Sequence, residues 1–430
     1  MDDVTDDVDG DHPAWDADSV VSQRGAGEAV DMVMSARAVE AKASVDTVTS
    51  FFTSIQDAGG NPDALDFTFG NPHELALPGL TNAMREQLEP RSVDWFAYKT
   101  NERPAQEAVA QGLRAELGLD FEPDDIAMTQ GAFGALSLAF AILADAGDEV
   151  IIPVPGWFCY APMLHAVNLV PVGVALDPVD FSLDVDAIAR ALSPRTRLVI
   201  VNSPANPTGR VYPKETWDAL AEVLDEASAR FGRRIWLVSD EPYRRIRFDG
   251  ITFTSPAASY PWTVIDYSYG KVLLAPGQRL GYLAASPMLP RAEREELRSA
   301  FMPLQLAIGW GFPDALMQYS VPALENVSID VGELTRKRDR LYGALRDAGY
   351  TLTRPEGTFY LWGRAPGGDG AAYCEALAAR GVYLMPGTLF DQPGHFRISL
   401  TATMDTIERA LPILVEAGAP ASALSAATPS

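Results

Sequence analysis

Lys271 closes an apolar run, Thr263-Val264-Ile265-Asp266-Tyr267-Ser268, and Arg279 and Gly281 follow it. A primary amine so placed can form a Schiff base with an aldehyde cofactor. Ser268 and Arg279 flank it with a hydroxyl and a fixed cation, groups that hold a phosphate dianion. A lone lysine near an arginine is ordinarily solvated surface charge. This one gains weight from Ser239-Asp240-Glu241-Pro242-Tyr243 upstream, an acid and a phenol on one stretch. Asp240 could cap a helix or pair with a cation. It could instead hold a ring nitrogen protonated and make the ring an electron sink. Tyr243 could donate to a phenolate oxygen, or could be a core or rim tyrosine.

Four further segments stand out, three of them just after a strand-like run. Asn202-Ser203-Pro204-Ala205-Asn206-Pro207-Thr208-Gly209 fixes a rigid loop that presents Asn206 as a hydrogen-bond donor; the plain alternative is a tight turn with a capping Asn. Thr129-Gln130-Gly131-Ala132-Phe133-Gly134 leads into a helix whose first amides, at Gly131, Ala132 and Phe133, form an anion seat or merely a structural turn. Trp157, in Pro155-Gly156-Trp157-Phe158-Cys159-Tyr160, could stack on a flat ring or belong to the core. Arg397 lies inside the apolar run Phe396–Leu400. A buried guanidinium needs a partner, either a substrate carboxylate or a structural acid.

These segments need a scaffold, and the chain supplies one. At 430 residues it can bury a large core and form two domains. The net charge of -24 argues against nucleic acid and anionic membrane as partners. Part of that charge sits in the first twenty residues, with eight Asp and no Lys or Arg, read as a disordered acidic extension and not a secretory signal. Cys159 and Cys374 stand far apart, which suggests a reducing, cytoplasmic setting. The four histidines, at 12, 73, 165 and 395, make no zinc pattern, so no metal is expected. The uncharged stretch from Ile126 to Ala144 reads as strand, turn and buried helix, not as a membrane span. A Gly-x-Gly at Gly25–Gly27 lacks a preceding strand and carries no weight as a nucleotide loop.

Seven apolar runs alternate with helical stretches: Ile126–Thr129, Glu149–Val154, Leu169–Val174, Leu198–Asn202, Ile235–Ser239, Thr263–Tyr267 and Leu280–Ala284. Such alternation predicts an α/β fold, a mostly parallel seven-stranded sheet sandwiched by helices, with ligands beyond the carboxyl ends of the strands. After Ser328 the pattern becomes that of a smaller α+β domain. The expected division is an extension at 1–40, an arm and helix packing with the small domain at 41–75, a large domain at 76–320, a small domain at 321–417 and a flexible tail at 418–430.

Taken together, the ordered motifs Asn-Pro-Thr-Gly, Asp-x-x-Tyr, Ser-x-x-Lys with a following Arg-x-Gly, and a late Arg in an apolar strand resemble the fold-type I pyridoxal-phosphate enzymes, in particular the class I/II aminotransferase family. The resemblance covers roughly Ser44 to Ala417. It implies pyridoxal 5'-phosphate on Lys271, Asp240 as partner of the ring nitrogen, and Tyr243 and Asn206 as donors to the ring oxygen. It implies a phosphate cup from Ser268, Arg279 and the amides of Gly131, Ala132 and Phe133. Trp157 resembles the stacking aromatic and Arg397 the α-carboxylate clamp. Gly70, in Phe69-Gly70-Asn71-Pro72, resembles the segment that closes over substrate. Tyr98 matches a tyrosine sent to the neighbouring subunit's phosphate, which implies a homodimer with shared sites. There are departures. Gly270 replaces a common hydroxyl residue, Gln106 a common arginine, and His73 and Glu74 add polar groups near the expected entrance.

The implied activity is amino-group transfer between an α-amino acid and a 2-keto acid. The same carbanion chemistry also serves lyases, cyclases and β/γ-replacement enzymes of this fold, which stay open alternatives. A non-catalytic cofactor-binding module is a third. The regulatory relatives of that kind carry a DNA-binding domain, and no helix-turn-helix precedes the core here.

Overall fold

The computed structural model describes residues 33–55 and 63–418. The expectations for residues 1–32, for Gly25–Gly27 and for residues 419–430 lie outside the described residues. Strand β1 is Leu65–Asp66. Strands β2 (Ile126–Thr129), β3 (Glu149–Val154), β4 (Val170–Ala175), β5 (Thr196–Asn202), β6 (Trp236–Asp240), β7 (Thr263–Ser268) and β8 (Gly281–Ala285) form one sheet in the order β2-β8-β7-β6-β5-β3-β4. These are the seven expected runs with ends moved by a residue or two. Most neighbours are parallel, but β8 runs antiparallel to both β7 and β2. Its connection from β7 explains this. Residues 269–280 contain only the single helical turn Tyr269–Val272, too little for the crossover that a parallel return requires.

Helices cover both faces. Gly131–Leu143 is apolar almost all round, with Leu136, Leu138, Ala139 and Phe140 buried against Val150, Leu198, Val238 and Val264 of the sheet. That composition forces it into the interior. Lys214–Phe231 buries Trp217, Leu220, Ala221 and Leu224 on one stripe and stops at Gly232, whose φ of 64° ends the helix. It packs on the opposite face, with Val199, Val201 and Leu237. Among the described residues no helix is long and apolar enough to cross a membrane.

Beyond β8 a second layer forms around an antiparallel sheet of β9 (Leu352–Thr353), β10 (Tyr360–Arg364), β12 (Met385–Pro386) and β13 (His395–Ser399), in the order β12-β13-β10-β9. Strand β11 (Val382–Tyr383) pairs with β1 in parallel. So the extended segment from Leu65 joins this layer. The helix before it touches both layers, since the cluster on which Val48 and Phe51 pack holds Trp362, Met385 and Phe390 of the second layer as well as Ile151 and Val199. It spans Ala36–Ser54, begins inside the stretch read as an extension, and lies along the helix Tyr160–Ala166 of the large sheet's layer. The physical reason is its aromatic end: Phe51 and Phe52 meet Phe69, and Val48 and Phe51 pack on that cluster.

Candidate active site

Strand register sets Asn202, Asp240 and Asp266 side by side near the carboxyl ends of β5, β6 and β7. Partners in register point to one face of a sheet, so the three side chains form a row. Asn202 Nδ2 donates to the Asp240 carbonyl at 2.8 Å and to Asp240 Oδ2 at 3.3 Å. Tyr160 donates its hydroxyl to the same Oδ2. Asp240 Oδ1 is buried and has no partner among the described residues. Burial pushes this carboxyl up to about 6, while bonds from Tyr160 and Asp266 and the charge of Lys271 hold it down. An acid arranged in this way has one oxygen satisfied and one open to a further donor.

Lys271 stands in the single turn Tyr269–Val272, which Ser268 caps by accepting from the Gly270 amide at 3.3 Å. Its Nζ lies 5.8 Å from the centre of the Tyr243 ring. Its charge is felt at Asp240, Cys159 and Tyr360. Tyr243 is buried and bonded to Tyr360, and burial raises its phenol well above the usual range.

On one side of this amine lies the start of the helix Gly131–Leu143, where first-turn amides have no intrahelical acceptor. Gly131 has a φ of +74°, and a Cβ there would lie 2.8 Å from Arg279 Nη2. A Cβ on Gly281 would come within 2.7 Å of the Gly131 Cα. Glycine at both places lets β8, the helix start and Arg279 converge. Arg279 donates to the carbonyls of Pro276 at 2.8 Å and Gln130 at 3.4 Å, neither of them an acid. Burial lowers its guanidinium from the ordinary value, so an anion placed here would relieve it. Ser268 completes this corner. The Trp157 ring sits edge-on to Phe133 at 4.8 Å and to Tyr160 at 5.3 Å, beside the pair of Tyr160 and Asp240.

On the other side, Arg397 is only 2% exposed, and that burial lowers its guanidinium. Nη1 donates to Asn206 Oδ1 and Nη2 to the Thr68 carbonyl, each at 2.9 Å. Nε has no partner among the described residues. Its Cζ lies 3.8 Å from the centre of the Tyr360 ring and 5.0 Å from that of Phe390. No acid neutralises it in these bonds, so the structural salt bridge is not what holds it. Because Asn206 Oδ1 is occupied, its Nδ2 is the group left to donate. Gly70 comes to the same corner, where a Cβ would meet the Tyr360 hydroxyl at 2.9 Å.

The expected residues therefore meet within one chain, with one exception. Tyr98 is 86% exposed and rests on Phe312 at 4.8 Å. The departures also find causes. A Cβ at Gly270 would lie 3.0 Å from the Pro276 Cα, so a side chain is crowded out. Gln106 donates to the Ile126 carbonyl at 2.7 Å. Glu74 pairs with the buried Lys337 at 3.0 Å. Tyr160, Asn202, Asp266 and Tyr360 belong to the site and were not singled out from sequence. Tyr160 and Asn202 stand inside motifs that were, and their positions relative to Asp240 come only from the fold.

Pyridoxal 5'-phosphate asks for an amine, a buried acid with a free oxygen, an anion seat and a cation for the substrate acid, and the donor set here fits it. Comparison with known proteins reaches the same class independently. Residues 62–414 match the model of the family "Aminotransferase class I and II". The chain belongs to this family: it is a pyridoxal-phosphate-dependent enzyme that transfers amino groups. The aspartate/prephenate aminotransferase of Thermus thermophilus is 32% identical over 309 residues, 71% of this chain and 78% of the relative. Among solved structures, an amino transferase from Eubacterium rectale superposes with a TM-score of 0.81 at 29% identity, covering 90% of this chain and 98% of that one. The aspartate aminotransferase of Thermus thermophilus with maleate gives 0.77 at 28% identity, covering 90% and 100%.

Proposed function

We propose that this enzyme exchanges an amino group between an α-amino acid and a 2-keto acid, with Lys271 as the covalent and proton-transferring residue. The observation that carries the reading is Arg397, a buried cation bonded to neutral oxygens and lacking an acid, across the site from the amine. Pyridoxal phosphate supplies an aldehyde carbon that takes up the amino group and a ring that spreads the charge left on the α-carbon. Lys271 Nζ would hold the cofactor and, as a free amine, would take a proton from the substrate's α-carbon and return it. Asp240 Oδ1 would accept from the ring nitrogen, with the carboxylate fixed through Oδ2 by Tyr160 and Asn202. Tyr243 and the Asn206 Nδ2 would donate to the ring oxygen, and Trp157 would cover the ring. Ser268, Arg279 and the amides of Gly131, Ala132 and Phe133 hold the phosphate. Arg397 takes the substrate's α-carboxylate, and Gly70 lets the backbone close beside it.

The same reading takes the enzyme as a cytoplasmic homodimer, with Tyr98 reaching the phosphate of the neighbouring subunit. Its layers then act as a large domain at 76–320 and a small one at 321–417. Aspartate, named for its relatives, is one candidate donor. The test mixes holoenzyme with single amino acids and follows cofactor absorbance and keto-acid release. Conversion of the cofactor to its amine form, reversed by a keto acid, supports the proposal. Keto product released well beyond one equivalent per enzyme in the absence of any acceptor, with the cofactor left in its aldehyde form, refutes it in favour of elimination.

A further inference from the structure

Asp266 is a second fully buried carboxyl next to Asp240, and nothing in the chemistry above uses it. It comes from the neighbouring strand in direct register, so its side chain lies on the same face as Asp240. Neither Asp266 oxygen has a donor among the described residues. Yet the two carboxyls stand within hydrogen-bonding reach of each other. Among the described residues no cation acts on Asp266. The groups that act on it are Asp240, the last residue of β6, and Glu241 just after it, both acids. Around Asp240 stand Tyr160, Tyr243 and Lys271, and only Lys271 is positive. Two buried carboxyls in contact cannot both be ionised at a tolerable cost. One must keep a proton and donate it to the other. Asp240 already receives Tyr160 and Asn202, donors that favour its charged form. Asp266 receives none, so the proton belongs on Asp266.

We propose that Asp266 is a positioning residue: held as a neutral acid, it shares its proton with Asp240 and keeps the Asp240 charge in place beneath the cofactor's ring nitrogen. The last clause rests on the role given to Asp240 above. Burial and the neighbouring Asp240 charge raise Asp266 well above the usual carboxylate range. The sign follows. A carboxyl raised in the fold binds a proton that the unfolded chain releases, so its contribution to stability is full below the ordinary carboxylate range and is lost as pH rises through the folded value.

The test uses the full chain with Asp266→Asn, which keeps a donor and the shape, and Asp266→Leu, which removes the donor. Urea unfolding of cofactor-free protein from pH 4 to 8 counts protons. Asp240 and Glu241, pushed up by burial to about 6 and about 7, also change charge there, so the difference between variants isolates Asp266. We expect Asp266→Asn to take up about one proton fewer on folding than the parent. In the holoenzyme, Asp266→Asn should bind pyridoxal phosphate within about threefold of the parent, and Asp266→Leu about tenfold more weakly, the loss of one hydrogen bond to a charged group. An unchanged proton count in Asp266→Asn, or parental cofactor affinity in Asp266→Leu, overturns the proposal. Asp240→Ala reports separately on the reading beneath it. If that variant binds cofactor normally, Asp240 is not the ring's partner, whereas the proton count still decides whether the pair shares a proton.

Discussion

At the scale of single residues the proposed function divides the work between Lys271 and Arg397, and each can be removed by itself. Lys271→Ala should lower kcat by at least about 10²–10⁴-fold, the usual worth of a positioned proton-transfer group. Borohydride should then fix no cofactor to the chain, while circular dichroism stays that of the parent. Persistence of a reducible adduct would point to another lysine. Arg397→Lys should act differently. It keeps the charge and loses the planar fork, so KM for the amino acid should rise about tenfold or more with cofactor affinity nearly unchanged. Equal loss of both would make Arg397 a structural residue. Lys271, Asp240 and Arg397 were legible in sequence because each follows, ends or interrupts an apolar run, where a polar group needs a reason, and Asn206 because two prolines and a glycine fix its loop. Tyr160 and Asp266 were not. Their meaning is a distance to Asp240, and strand order, not spacing along the chain, sets that distance.

Among the elements, the helix start at Gly131 is the most exacting. Its left-handed φ and the guanidinium 2.8 Å from an imagined Cβ make two separate demands. Gly131→Ala should therefore cost stability of about 1–2 kcal/mol from the backbone alone. It should also push Arg279 aside and weaken cofactor binding. Gly147→Ala is the control. Its φ is +89° and nothing lies within 4 Å of its Cβ, so it should lower Tm without touching the cofactor. Equal effects of the two on cofactor affinity would refute the crowding argument. The seven strands were readable from alternation because each is short, apolar and followed by a turn. The reversed β8 was not readable from its own composition, since its burial on both faces looks the same in either direction. The short helix Tyr269–Val272 before it was the available clue. The contact of the helix Ala36–Ser54 with the helix Tyr160–Ala166 also escaped the sequence. The former helix buries no residue fully and so carries little periodic signal.

For the molecule as a whole, the proposed pairing of subunits concerns a surface that the single chain leaves open. Tyr98, Phe96, Trp310 and Phe312 are all exposed to a degree unusual for aromatics. Sedimentation should give the mass of two chains, and Phe312→Glu should shift it towards one and loosen the cofactor. A monomer that holds cofactor as tightly as the parent would remove Tyr98 from the site.

Arg397 is also a knot in the chain's path. Its two terminal nitrogens are tied to positions 68 and 206, so three stretches from the beginning, middle and end of the protein meet on one guanidinium. A protease nick that freed the strand around Thr68 would leave the lysine and the buried acid where they are. Such a clipped enzyme would still turn yellow with its vitamin, yet it would have lost its grip on the acids it is meant to read.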